Sequence, residues 1–217
     1  YLEGNPFTSC TTSSEGIVCI NSIDKVQIWQ AEFDAKNVAG VAADGGVLVI
    51  KSSKNCTVDI RSLRVANYVT GSKGAVAIIS ESNAKIDTTI TLFEVSNVAS
   101  QNSGSKGGAL YLSGNVEANV TEVTFTSTYA DMGGAIYLEE NANLTISDVD
   151  FVSIGTEKSA IFARKVSGEV VYAENSTITL SDATVTGTVI SQAGSLMAFA
   201  GASVVTLENV EFVSNTV

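Results

Sequence analysis

A six-residue pattern that recurs along the chain constrains the fold more than any other feature of this sequence. Each copy reads apolar, polar, polar, apolar, polar, apolar, with Leu92 as the single exception at a polar position, and the seven copies follow one another at intervals of 26 to 37 residues. Helical spacing at i, i+3, i+4 and i+7 does not fit the copies, and β-branched residues dominate them. The copies begin at Ile23, Ile60, Ile90, Val120, Ile146, Leu180 and Leu207. The paired polar residues in each copy predict a corner between two short strands.

A second short apolar segment precedes six of the copies and supplies a further strand. These segments begin with a small residue, at Gly46, Gly74, Gly108, Gly134, Ser159 and Gly194. About three strands per repeat cannot bury an apolar face alone, but coils stacked ~4.8 Å apart enclose a continuous core. Propeller blades are antiparallel sheets of about 40 residues and fit less well. The sequence therefore predicts an all-β fold, a parallel β-helix (solenoid) of about six to seven coils with roughly three short strands per coil.

The spacing of the copies also predicts the domain organisation. Residues 1–22 precede the first copy, and we expect them to form an N-terminal cap segment before β-helix repeats over 23–217. The two longest intervals, 37 residues before Ile60 and 34 before Leu180, predict loops that leave the coil near 31–44 and 165–175. The first residues of the last six copies should form one inward-facing column.

Composition excludes several classes of partner and chemistry. Twelve Lys and Arg residues against 23 Asp and Glu residues give a net charge of −11, so we expect no nucleic acid partner. The longest unbroken apolar runs reach five residues, so we expect no membrane span in this chain. The chain contains no His, which excludes a Ser-His-Asp or Cys-His catalytic site within it.

Two motifs resemble the repeats of a known family. Gly107-Gly-Ala-Leu-Tyr-Leu112 and Gly133-Gly-Ala-Ile-Tyr-Leu138, together with Phe212-Val-Ser-Asn215, resemble the paired GGA(I/L/V) and FxxN repeats of polymorphic outer-membrane proteins. The resemblance covers the coils from about 45 to 217. Those proteins are surface-exposed β-helical adhesins and autotransporter passengers. The resemblance therefore implies a β-helical fold and a surface, adhesive or assembly role.

Four Asn-X-Ser/Thr sequons are candidates for N-glycosylation. Counted back from the copy that follows, they lie at offsets of 5, 1, 3 and 5 residues, and strand alternation places all odd offsets on the outer face. The four asparagines are Asn55, Asn119, Asn143 and Asn175. Glycans would fit there and would indicate an extracellular or cell-surface location. Ordinary surface asparagines on a Ser/Thr-rich coil are the alternative.

Three cysteines allow at most one disulfide within the chain. Cys10 and Cys19 are close enough in sequence to staple the N-terminal segment, and we predict that they pair. Cys19 and Cys56 share an offset of four before Ile23 and Ile60, so stacking on adjacent coils is the alternative pairing. Without a CxxC pair or any His, we expect no metal at the cysteines.

An acidic ladder is the strongest cluster of chemically active side chains. Glu122, Asp148 and Asp182 occupy the third position of consecutive copies, and Asp150 follows two residues after Asp148. Stacked carboxylates repel one another unless they are solvated or bridged by a cation. The ladder would bind Ca²⁺ or supply the acid and base for polysaccharide cleavage. Solvated corner carboxylates are the alternative, and we expect no other cofactor.

An aromatic stripe is the second candidate site. Tyr111, Tyr137 and Phe162, continuing to Met197, share one phase of the Gly-initiated strands. If their aliphatic neighbours point inward, the rings point outward as a contact surface for sugar rings or another protein. The alternatives are that segments between repeats cover the rings, or that the rings fill the core.

The combined features favour a non-enzymatic extracellular structural or adhesive module that assembles into a filament or surface fibre. Its expected partners are further copies of itself, other surface proteins or glycans. The rival hypothesis is a carbohydrate-active or carbohydrate-binding β-helix that uses the acidic ladder or the aromatic stripe.

Overall fold

A computed structural model describes residues 2–3, 6–8, 16–35, 40–42, 46–100, 102–155, 169–189 and 195–216. Seventeen strands and no helix occur within these ranges. The strands are β1 (Leu2–Glu3), β2 (Pro6–Thr8), β3 (Val18–Asn21), β4 (Lys25–Asp34), β5 (Gly40–Ala42), β6 (Leu48–Ser52), β7 (Cys56–Thr70), β8 (Val76–Ser80), β9 (Ile86–Ser100), β10 (Leu110–Ser113), β11 (Val116–Tyr129), β12 (Ile136–Glu139), β13 (Asn143–Val152), β14 (Val171–Glu174), β15 (Thr177–Thr186), β16 (Met197–Ala200) and β17 (Val204–Val213).

The strands form two parallel sheets that the chain visits in alternation. The first sheet has the order β1-β4-β7-β9-β11-β13-β15-β17, with β2 beside β4 and β5 beside β7. The second sheet has the order β16-β14-β12-β10-β8-β6-β3. Each coil thus contributes one long strand to the first sheet and one short strand to the second. The predicted parallel β-solenoid is confirmed.

Strand register confirms the inward column predicted from the last six copies. The column runs through Ile60, Ile90, Val120, Ile146, Leu180 and Leu207. Its first five members are fully buried, whereas Leu207 is 45% exposed. The repeat therefore determines which face each member of the column lies on. Whether that member is buried depends on the neighbouring coil.

The first copy lies in a different register from the one predicted. Ile28, and not Ile23, pairs with Ile60. Ile23 is 43% exposed, whereas Ile28 is fully buried. The interval to Ile60 is therefore 32 residues instead of 37. The repeat pattern does not reveal this register, because Trp29 occupies a position that is polar in every other copy.

The structure places strands inside the predicted cap segment and inside both predicted loops. Within the predicted cap 1–22, β1 and β2 pair with β4 and β3 pairs with β6, so these strands belong to the coil. Within the predicted loops, 31–34 belongs to β4, 40–42 is β5, and 171–174 is β14. The rest of both predicted loops lies largely outside the described ranges.

Each long strand turns at a corner residue with left-handed backbone geometry. The corner column comprises Gln30, Ser62, Leu92, Glu122, Asp148, Asp182 and Asn209, with φ between 49° and 59°. Asn, Asp and other short polar residues tolerate this region best among residues with a Cβ. The corner explains the paired polar positions, because the chain bends outward into solvent there. Leu92 is the single apolar member.

The two Gly-Gly-Ala motifs have a backbone explanation. Gly107 and Gly133 have φ of 62° and 61°, which favours glycine. A Cβ on Gly108 would lie 2.0 Å from the carbonyl oxygen of Gly134 in the next coil. The motif therefore permits a sharp turn followed by close stacking of coils.

Asparagine side chains connect adjacent coils at a second corner. Asn97 Nδ2 donates to Asn67 Oδ1 at 3.2 Å, and Asn67 Nδ2 donates to Asp34 Oδ1 at 2.8 Å. In the last coil, Asn215 Oδ1 accepts a hydrogen bond from the Thr188 backbone N–H at 2.9 Å. The asparagine of the Phe-x-x-Asn motif therefore stabilises the stacking of coils.

Candidate functional site

A column of three tyrosines lies on the outer face of the second sheet. Tyr111 in β10 pairs with Tyr137 in β12, which pairs with Tyr172 in β14. Their rings stack with centroid distances of 5.9 Å and 5.0 Å and interplanar angles of 15° and 7°. Leu110 and Leu112 belong to the main core. The tyrosines therefore lie on the opposite face of the sheet, as strand alternation predicts.

Tyr172 is a member of this column that sequence reasoning missed. Phe162, which we predicted as the third ring, lies outside the described residues. Met197 pairs with Val171, so it is one position away from the column. The signal for Tyr172 was the 34-residue interval between the fifth and sixth copies, because Tyr172 follows Tyr137 by 35 residues and Phe162 follows it by 25.

The tyrosine column is not the exposed contact surface that we predicted. Tyr111 is 5% exposed and Tyr137 is 1% exposed. Lys73 Nζ lies 5.2 Å from the ring centroid of Tyr111, and Lys106 Nζ lies 4.8 Å from that of Tyr137. Met132 packs against the same cluster. Residues between the repeats therefore cover the rings of Tyr111 and Tyr137, which corresponds to the first alternative, whereas Tyr172 is half-buried.

Glu139 connects the covering residue Lys106 to Tyr111 through hydrogen bonds. Its carboxylate accepts hydrogen bonds from the Tyr111 hydroxyl and from Lys106 Nζ, the latter at 2.5 Å. Burial, reinforced by the hydrogen bond to Glu139, raises the pKa of Tyr111 well above its usual range. Burial also raises the pKa of Tyr137. The phenols therefore stay neutral and act as structural donors in this cluster.

The acidic ladder occupies the exposed corner of the first sheet. Glu122, Asp148 and Asp182 share the corner column, and all three side chains are exposed. Asp182 Oδ1 accepts a hydrogen bond of 2.6 Å from Asn209 Nδ2 in the next coil. In the part of the chain that the structure describes, no group of three or more His, Cys, Asp or Glu residues is arranged to hold a metal ion. Calcium binding at the ladder stays a prediction.

All four sequon asparagines are exposed, which agrees with their predicted phase. Asn119 and Asn143 lie on the adjacent strands β11 and β13. Asn55 Oδ1 accepts a hydrogen bond from the Lys85 backbone N–H at 3.0 Å. Asn175 Oδ1 likewise accepts one from a backbone N–H of the next coil at 3.0 Å. Their glycosylation stays a prediction.

Strand register separates the two cysteines that the structure describes. Cys19 lies in β3 of the second sheet and pairs with Val49, whereas Cys56 begins β7 of the first sheet and pairs with Ile86. The alternative pairing, with Cys19 stacked on Cys56, is therefore wrong. Burial raises the pKa of the Cys56 thiol. Cys10 lies outside the described ranges, so its disulfide with Cys19 stays a prediction.

The last coil presents core-facing side chains to solvent. Leu207 and Phe212 are 45% and 47% exposed. Leu180 and Val185, which precede Leu207 and Phe212 in the same two columns, are fully buried. β17 is an edge strand of the first sheet, and β16 is an edge strand of the second. This coil therefore combines an apolar patch with two strand edges, and we call it the terminal coil.

Comparison with known protein families finds no matching family model, and searches of curated proteins and of solved structures find no match. The relationship to polymorphic outer-membrane proteins therefore stays a prediction from the motifs. Among the residues described, none forms a helix long and apolar enough to cross a membrane.

Proposed function

We propose that this protein is a non-enzymatic structural or adhesive module of the extracellular space that associates with a second copy of itself through the terminal coil. The exposure of core-facing side chains on β17 is the observation that supports this proposal. Leu207 and Phe212 follow fully buried residues in their columns, so their exposure arises because no coil covers them within the described residues.

The strand edges strengthen the case for pairing. Within the described residues, β17 pairs with β15 on one side only. Its outer edge carries backbone N–H and C=O groups that are suited to pair with a further strand. Exposed apolar side chains next to such an edge favour addition of another parallel strand, because one contact buries the side chains and satisfies the backbone.

A second copy is a geometrically matched occupant of this edge. The opposite edge of the first sheet is formed by β1 and β2, whose register places Leu2 with Ile28 and Phe7 with Phe33. The intervals from Leu2 to Phe7 and from Leu207 to Phe212 are both five residues. The two edges of the sheet therefore have the same column spacing, and a head-to-tail contact would continue the columns. A heterologous contact of this kind builds a filament when it does not close into a ring.

The sequons are compatible with assembly along the solenoid axis. All four exposed asparagines precede or lie on strands other than the edge strands β1, β2 and β17. Glycans at these positions would extend sideways from the solenoid and leave its ends accessible. Association at the ends and glycosylation on the sides would then coexist in an extracellular fibre.

Analytical ultracentrifugation and electron microscopy of the 217-residue chain test the proposal. The mass should rise with concentration, and added salt should strengthen association because it screens the charges of Glu208 and Glu211 beside the patch. Leu207→Asp should weaken association at least tenfold, since it places a carboxylate in the contact. Thr206→Asp, which introduces the same charge on the adjacent outward-facing residue, is the matched control. A wild-type protein that stays monomeric at high concentration, or equal effects of the two variants, contradicts the proposal.

A further inference from the structure

A groove crosses the outer face of the first sheet over β4, β7 and β9. It has a volume of about 560 Å³, and its lining includes Trp29, Asp59, Arg61, Ser62, Thr91 and Leu92. The second position of each copy is Trp29, then Arg61, then Thr91 along the coils. Large side chains therefore give way to small hydroxyl side chains from one coil to the next, and the surface becomes concave there.

Leu92 departs from the local rules of the corner column. It is the single apolar residue in a column that is otherwise polar, and its side chain is 53% exposed. Its φ of 56° lies in the left-handed region, where a residue with a Cβ costs roughly 1–2 kcal/mol. Burial of about half of this side chain contributes about 1 kcal/mol, no more than the backbone conformation costs. Such departures are expected where a residue serves recognition.

The polar side of the groove is held in a fixed arrangement. Arg61 Nε and Nη2 each donate to a different oxygen of Asp59 at 3.0 Å, and the guanidinium carbon lies 5.1 Å from the Trp29 ring centroid. The Arg61 hydrogen bonds hold the pKa of Asp59 below its usual value. This pair uses two of the five guanidinium donors, and the Arg61 side chain stays 63% exposed. The groove therefore offers a preorganised plane of donors.

The charges of the groove favour a neutral ligand. Asp59 and Arg61 neutralise each other, and the net charge of −11 on the chain repels anions. A cation would meet the exposed guanidinium, because the Asp59 side chain is only 17% exposed. Neither an anionic nor a cationic ligand suits the groove, so hydrogen bonds and apolar contacts must supply the affinity.

We propose that this groove binds a neutral oligosaccharide. A pyranose ring has an apolar C–H face and a rim of hydroxyl groups. Leu92 and the Trp29 ring would contact the apolar face, while Arg61, Asp59 and the Thr91 hydroxyl would bond to the rim. The groove is lined by residues of β4, β7 and β9 and by none of the edge strands β1, β2 and β17, so binding does not require self-association.

Trp29 is the only tryptophan of the chain, so its fluorescence reports directly on the groove. The full chain, held at a concentration where it is monomeric, is titrated with neutral hexasaccharides of glucose, mannose, galactose and xylose. At least one hexasaccharide should change the Trp29 emission saturably, with the same dissociation constant by calorimetry. The dissociation constant should not vary with protein concentration.

Leu92→Asn separates binding from folding. Asparagine tolerates the left-handed corner better than leucine, so unfolding stability should be retained or should rise. Binding should weaken about tenfold because the apolar wall is lost. Asn209→Ser, in the same column on a distant coil, should leave binding unchanged. Emission unaffected by all four sugars, tighter binding of an acidic oligogalacturonide, or a Leu92→Asn variant that binds as the wild type does would each overturn the proposal.

Discussion

Phe125→Ala compared with Phe212→Ala provides the most direct test of the energetics of this solenoid. The two phenylalanines occupy the same column, in which Phe125 pairs with Phe151 and Val185 pairs with Phe212. Phe125 is fully buried, whereas Phe212 is 47% exposed. The pair therefore separates the effect of residue type from the effect of being covered by coils on both sides.

The magnitudes follow from the contacts of each ring. The Phe125 ring lies 5.4 Å from Phe93 at 88° and 5.7 Å from Phe151 at 54°, measured between centroids and planes. A buried Phe→Ala change costs about 3–5 kcal/mol, and the two aromatic contacts place Phe125→Ala near the upper end, about 4–5 kcal/mol. Phe212→Ala should cost only about 1–1.5 kcal/mol, because its ring is half hydrated and its removal leaves no closed cavity.

Urea unfolding measured by far-ultraviolet circular dichroism and by Trp29 fluorescence checks both values. If the coils unfold as one unit, the two probes give the same midpoint, even though Trp29 lies on β4 and Phe125 on β11. The Phe212→Ala effect should grow with protein concentration if the terminal coil is covered by a second copy. A loss below about 1 kcal/mol for Phe125→Ala, or equal losses for both variants, would refute this reasoning.

Three further predictions concern the core, the coil contacts and the pH dependence. Ile146→Asp should unfold the central coils, because it buries an unpaired carboxylate. Thr145→Asp, on the exposed face, should be tolerated. Thermal unfolding of the two variants compares them. Gly108→Ala should cost about 1–3 kcal/mol, because its Cβ would lie 2.0 Å from a backbone oxygen. Gly134→Ala, at the same position of the other Gly-Gly-Ala motif, should cost less, because its Cβ would first meet the Ile154 side chain, at 3.0 Å. Urea midpoints compare the two variants. The raised pKa of Tyr111 means that its stabilising effect is complete below about pH 10 and is lost as pH rises toward the folded-state pKa. Unfolding free energies above pH 10 should therefore fall less steeply in Tyr111→Phe, and an unchanged slope would contradict this.

Most of the strand register could be predicted from the sequence alone. The copies beginning at Ile60, Ile90 and Val120 stack as predicted, because alternation in a strand has a period of two and each coil repeats the same phase. The same rule predicted that the sequon asparagines face solvent. These properties depend on the local spacing of apolar residues, and the same spacing recurs in successive copies.

The errors arose where one coil departs from the average. Trp29 stands at a polar position of the pattern, so the first copy was assigned five residues too early, at Ile23 instead of Ile28. That misplaced register led to the wrong stacking of Cys19 with Cys56. The groove beside Trp29 escaped notice for the same reason, although Leu92 already stood out as the exception to the polar pattern.

The sequence by itself determined the fold class and, from β7 onward, the phase of the long strands and the face on which their side chains lie. The tertiary structure decided which of those side chains are covered. Tyr137 faces outward in sequence and in structure, yet Lys106 and Met132 cover it. Leu180 and Leu207 are alike in sequence phase, yet one is fully buried and the other is 45% exposed. The physical reason is that orientation follows from local backbone geometry, whereas burial depends on which distant residues pack against the same side chain.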